Sequence, residues 1–418
     1  MLTLSYLDEQ NRVTGDEIKG LMRENAALLH AVKQGEETYA ESLGWLDPDV
    51  WAGDDSLGRI EKTAAEIRAG ADAFVLIGVG GSNNAARSVI ESLKSDDGPE
   101  IIYMGNTLSP HALNRELEKL GDKSFFIDCI AKNFETLEPG ASFRLLRRML
   151  YQRYGTDAAR RIMATGTPGS ALDKLCRENG YAFVPFPTDI GGRFSAISGV
   201  GLLPMAVAGI DIRALVRGAK SMRARLLGQG EGDNLALRYA CIRNLLYRRG
   251  YSLEMLSSFE PQYRWFFKWW TQLFAESEGK DGKGLYPVAA EYSEELHSVG
   301  QYVQDGESLM FETFLTVKEP NAALTIQADE LTDGFDYLDG KDLWDINRAA
   351  FEATRAAHSR KLPCLTLEVD RIDAESFGEL FYFFQFACYL SGRILGIDPF
   401  DQPGVEAYKE WMFTSLGK

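Results

Sequence analysis

From about residue 57 onward, short apolar runs alternate with segments of helical period. Nothing else in the chain restricts its fold as much, because parallel strands joined by crossover helices produce this alternation and few other architectures do. The runs at 74–79, 101–104, 125–130, 162–165 and 183–186 read as strands. Between them, 85–93 and 112–120 place apolar residues at three- and four-residue spacing, with Arg, Glu and Lys elsewhere. That describes one doubly wound unit. A second alternation begins after the polar, glycine-containing stretch 228–234, with strands expected at 253–258, 285–289, 310–317 and 363–369 and helices at 235–248, 263–274, 341–359 and 375–395. The fold class is therefore α/β with two domains built on parallel-type sheets covered by helices, and residues 1–50 read as a helical cap on one of them. No repeat of 20 to 50 residues is visible, which removes solenoids and propellers.

Composition narrows the function classes. The chain has 418 residues, 45% of them hydrophobic, and a formal charge of -16. Such a charge repels polyanions unless basic residues gather locally, so nucleic acid is not expected as a partner. The apolar stretches 196–210 and 381–390 fall short of the roughly 20 residues a bilayer requires and read as buried helix, so no membrane is expected either. The start of the chain shows neither a secretory signal nor a transit-peptide pattern, and the expected location is the cytoplasm. The five cysteines, Cys129, Cys176, Cys241, Cys364 and Cys388, contain no C-x-x-C pair and read as reduced, packed thiols.

Five segments concentrate chemistry. The first, Phe74-Val-Leu-Ile-Gly-Val-Gly-Gly-Ser82, runs from an apolar strand into glycines and a helix start, where backbone N–H groups can approach an anion. Asn83 stands where a dinucleotide fingerprint needs glycine, so a tight strand-to-helix turn is the leading alternative. In the second, Asp189-Ile-Gly-Gly-Arg-Phe-Ser195, Arg193 suits recognition of an oxyanion, and an interface ion pair explains it equally well. The third is Trp269-Trp-Thr-Gln-Leu-Phe-Ala-Glu-Ser-Glu-Gly-Lys280. Gln272 and Glu276 are four apart on one helical face, and a carboxylate at the end of an apolar segment is a candidate general base with a raised pKa, although solvated helix ends also look like this. The fourth holds His297, which among the four histidines alone sits in a polar context suited to proton transfer. The fifth, Asp398-Pro-Phe-Asp-Gln-Pro-Gly-Val-Glu-Ala-Tyr-Lys409, is a loop entering a helix with Gln402 and Lys409 two turns apart.

In this order and at these separations, the five segments resemble the glucose-6-phosphate isomerase family, particularly its bacterial forms, over about residues 70 to 413. The resemblance implies two sugar isomerase (SIS) domains, 50–210 and 1–49 together with 211–418. It also implies interconversion of D-glucose 6-phosphate and D-fructose 6-phosphate through a cis-enediolate. By position, Glu276 matches the base that moves a proton between C2 and C1, and Arg193 the arginine that stabilises the enediolate. His297 and Lys409 match the residues that open the sugar ring, while Gly81, Ser82, Lys132, Thr136, Gly192, Gln272 and Gln402 match groups that bind substrate. The family's histidine reaches the neighbouring subunit's site, so a homodimer is implied, and neither metal nor other cofactor is called for. Proton abstraction beside a carbonyl needs a proton acceptor and a fixed positive charge on one substrate, which Glu276 and Arg193 can supply.

One segment departs from the family. A Ser-Lys-x-x-Thr-Thr loop that holds the substrate phosphate reads here Ala131-Lys-Asn-Phe-Glu-Thr136, so two hydroxyl donors are missing. A Glu135 carboxylate about 4 Å from phosphate would cost about 4 kcal/mol at an effective dielectric near 20, roughly a thousandfold in binding. Two other readings follow: an isomerase for a different or less anionic sugar, and a non-catalytic sugar-phosphate-binding sensor. Against the sensor stand the absence of a DNA-binding module and the presence of Arg193, Glu276, His297 and Lys409 together.

Overall fold

The computed structural model describes residues 1–417. Strand β1 (Thr3–Leu7) belongs to one sheet, while β2 (Ala73–Ile77), β3 (Glu100–Met104), β4 (Phe125–Ala131), β5 (Ile162–Gly166) and β6 (Ala182–Pro185) form the other in the order β3-β2-β4-β5-β6. All pairs in this second group are parallel. Every residue of β2 is buried, as expected of a strand covered on both faces. The chain leaves β2 toward β3 on one side and returns to β4 on the other, which opens a crevice outside the carboxyl ends of β2 and β4.

The remaining strands, β7 (Leu253–Ser258), β8 (Tyr286–Glu291), β9 (Met310–Val317) and β10 (Cys364–Val369), repeat that order as β8-β7-β9-β10, again all parallel. The two doubly wound α/β sheets expected from the alternation are therefore present. The start of the chain differs from the expectation. Thr3–Leu7 is not helical but lies antiparallel along β10. Alternation explains it: Leu2 and Leu4 are buried, and the Leu2 N–H donates to Glu379 Oε2 at 2.9 Å. Tertiary pairing here outweighs local propensity. The helices Gly15–Glu24 and Ala26–Gln34 do follow, the first with a capping box between Thr14 and Glu17.

The helices that carry the site or support it are α1 (Asn84–Leu93), α2 (Leu137–Tyr154), α3 (Ile212–Gly228), α4 (Arg264–Glu278), α5 (Ala374–Leu395) and α6 (Glu406–Ser415). Apart from the exposed Glu375, every residue of α5 from Ala374 to Gly392 is buried, and the helix runs through the middle of the molecule. It crosses α3 at backbone contact: a Cβ on Gly378 would overlap the Leu215 carbonyl, and one on Gly218 the Glu375 carbonyl. Among the described residues no helix is long and apolar enough to cross a membrane.

Candidate active site

The two glycine motifs meet. Gly80, with φ +58, turns the chain off β2, and a Cβ on Gly81 would overlap the Gly192 carbonyl and the Arg193 backbone nitrogen. Only glycine lets these two turns touch. The strand-to-helix turn is thus both a packing device and the seat of Arg193 at the carboxyl end of β2.

Arg193 is 1% exposed, and each nitrogen of its guanidinium has at least one oxygen partner. Nε donates to Ser277 Oγ at 2.8 Å, Nη1 lies 3.3 Å from Glu276 Oε2, and Nη2 donates to the carbonyls of Pro399 at 2.7 Å and Phe400 at 3.2 Å. Its own carbonyl accepts from Trp269 Nε1 at 3.1 Å, which fixes the turn against α4. Burial lowers the pKa of Arg193, and the Glu276 carboxylate opposes that shift.

Glu276 projects from α4 with its side chain 32% exposed, standing against a guanidinium and two amides. Gln272, one turn earlier, donates from Nε2 to Glu276 Oε1 at 3.2 Å, and Gln402 from the C-terminal loop donates to Oε2 at 3.2 Å. Gln272 is oriented in turn by Asn84, whose Nδ2 donates to Gln272 Oε1 at 2.9 Å. Lys280 reaches back to Asp401 at 2.7 Å and to the Asp398 carbonyl, holding the loop that carries Gln402. Asn84, Ser277 and Lys280 received no role from the sequence. Ser277 and Lys280 sit inside a motif that was already singled out, whereas Asn84 carried no separate signal.

The departing loop closes the other side. Lys132 Nζ donates to the Ile190 carbonyl at 2.9 Å and lies over the Phe186 ring, which ties the loop to the segment just before Gly192. Burial lowers its pKa, while Asp189 nearby raises it. Phe134, at φ +42, stacks edge-on against Phe143 of α2, and Glu135 next to it is exposed. Thr136 precedes α2, its side chain exposed and not used as a cap, and Ser82 is half-buried at the turn after β2. Pro139, in the first turn of α2, packs close to Gly105 at the end of β3, as does the Gly78 nitrogen.

Arg193, Glu276, Gln272, Gln402, Gly81 and Gly192 are therefore brought together. Lys132 is held beside them through Ile190, and Ser82 and Thr136 lie at the ends of the adjacent strand turns. His297 is not part of this set. It stands exposed in the turn Glu294–His297 beyond β8. Lys409 is half-buried on α6.

Residues 57–414 match the family described as phosphoglucose isomerase. The chain belongs to the phosphoglucose isomerase family. Among curated phosphoglucose isomerase relatives, glucose-6-phosphate isomerase of Staphylococcus saprophyticus subsp. saprophyticus is 44% identical over 401 residues, covering 94% of this chain and 90% of that protein. The enzyme of the same name from Staphylococcus aureus strain Mu3 is 43% identical with the same coverage. In structure, a hypothetical protein from Thermus thermophilus is similar over 100% of both chains, with a TM-score of 0.90 at 25% identity. A glucose-6-phosphate isomerase from Chlamydia trachomatis shares the fold with a TM-score of 0.82 at 20% identity, over 100% of this chain and 88% of that one.

Proposed function

We propose that this member of the family interconverts D-glucose 6-phosphate and D-fructose 6-phosphate by proton transfer between C2 and C1. The observation that carries the mechanism is the approach of the Arg193 guanidinium to within 3.3 Å of the Glu276 carboxylate in an open crevice. On the open-chain aldose Glu276 accepts the proton from C2, the C2–H electron pair forms the C1–C2 double bond and the C1 carbonyl pair moves onto O1 to give a cis-enediolate. The proton of the C2 hydroxyl passes to O1, and Glu276 returns its proton to C1 as the C2 carbonyl forms. Arg193 balances the negative charge that develops on the substrate oxygens. Gln272 and Gln402, one on each carboxylate oxygen, set the direction of the basic lone pair. Lys409 and the partner subunit's His297 open the ring. Gly81, Ser82, Gly192, Lys132 and Thr136 receive the phosphate end of the substrate.

An exposed Glu135 supports a phosphorylated substrate, because a carboxylate turned to solvent is screened rather than held against the anion. For the homodimer, support comes from the exposure of His297 together with Tyr286, Val299 and Tyr302 near it in the chain, an apolar surface that a second copy would cover. The partition of strands between the sheets supports SIS domains at 50–210 and at 1–49 with 211–418. Five buried, unpaired cysteines in an acidic chain support a cytoplasmic location.

The test is a coupled isomerase assay with Glu276→Gln as the decisive variant. Loss of a general base lowers turnover about a hundred- to ten-thousandfold, together with solvent exchange at C2 and C1. Full turnover in the variant would remove Glu276 from its role.

A further inference from the structure

A second concavity, of about 730 Å³, opens beside β3, and its lining shares no residue with the surroundings of the Glu276 carboxylate. Its volume lies in the range of small-molecule pockets. Arg87 of α1 forms part of its wall, and the guanidinium packs 3.4 Å from the centre of the Trp265 ring and 4.1 Å from that of Tyr103. Aromatic faces hold a guanidinium in place without using its hydrogen-bond donors.

Those donors are not consumed elsewhere. Arg87 Nε is buried with no hydrogen-bond partner, and among the described residues no carboxylate forms an ion pair with the group. The acids on the wall do not cancel the bases: Glu116 pairs with Lys119 at 2.9 Å and Glu100 with Lys123 at 2.5 Å, leaving Glu91 against Arg87, Lys94 and Arg115. Lys94 and Arg115 are exposed and extend the positive edge toward solvent. In a chain of net charge -16, this is a local inversion of sign. A fixed, partly desolvated guanidinium flanked by exposed cations is a donor set suited to a phosphoryl group.

We propose that this concavity is a second anion site, binding a small phosphorylated molecule through Arg87 with Lys94 and Arg115. Calorimetric titration of the full chain with inorganic pyrophosphate tests it, using Lys132→Met to weaken the crevice and, separately, Arg87→Met and the double variant Lys94→Ala/Arg115→Ala to weaken the new site. The expected result is a site that persists in Lys132→Met and weakens about tenfold or more in the double variant, whose two positions are exposed. Arg87→Met, which keeps an apolar stem between the rings, should lose it. A site that survives both Arg87→Met and the double variant unchanged would overturn the proposal. So would a wild-type titration with no binding beyond what Lys132→Met removes. Isomerase turnover is not read in this experiment, so its failure and that of the proposed reaction are separable.

Discussion

Arg193 is charged and almost wholly buried, a combination offset by oxygen partners at each of its three guanidinium nitrogens. Two of those oxygens are the Pro399 and Phe400 carbonyls, so the group that the proposed reaction sets against the enediolate also moors the loop bearing Gln402. Arg193→Lys retains the charge and loses the fork. We expect turnover to fall about a hundredfold or more, as for loss of an oxyanion donor, with a higher KM in the same assay because Gln402 is no longer held. A change in kcat alone would mean the loop is anchored independently. At the departing loop, Glu135→Thr restores a hydroxyl and removes an exposed negative charge. It should lower KM for the phosphorylated sugar several-fold at low ionic strength and less at high salt, which a salt series of initial rates measures.

At the scale of elements, strand β4 carries an unusual passenger. Asp128 is fully buried in its middle, receives the Thr165 hydroxyl at 3.1 Å, and is raised by burial from its ordinary 3.8 to about 7. The folded protein therefore holds a proton that the unfolded chain has released between about pH 4 and 7, so stability declines as pH rises through that window. Asp128→Asn should flatten the decline and leave the protein more stable than the parent at pH 8, as followed by urea midpoints across pH. Strands themselves were well marked in the sequence: β7 and β9 begin and end where their apolar runs do. Helix α4 was expected to stop at Phe274 and continues to Glu278. The apolar pattern ends with the aromatics, but Glu278 is buried in an ion pair with Arg243, which also donates to Glu254 Oε2 at 2.6 Å. A buried ion pair leaves no local periodicity to read. The same limit hid the carbonyls that hold Arg193, since backbone acceptors have no residue type. β1 was hidden because its hydrogen-bonding partners lie near the other end of the sequence.

For the whole molecule, the crevice draws on segments around both sheets, with Gly81 in the turn after β2, Gly192 in the turn after β6, Glu276 on α4 and Gln402 in the loop after α5. His297, exposed outside this crevice, is the residue that the proposed homodimer assigns to the neighbouring copy. If sites are shared, mixing Glu276→Gln and His297→Ala subunits under conditions of exchange places both defects in one site of each mixed dimer and leaves the other intact. Activity should then reappear in a mixture of two individually inactive proteins. Its continued absence, with exchange verified by native mass spectrometry, would confine each site to one chain. The pairing of β1 with β10 has a different consequence, for the order in which the chain matures. A ribosome delivers residues 3–7 long before it delivers the strand they need, and it completes β2 through β6 in between. The middle sheet can settle while translation continues, whereas the leading strand waits with its amides unclaimed. That edge of the sheet is closed only once residue 369 has left the ribosome.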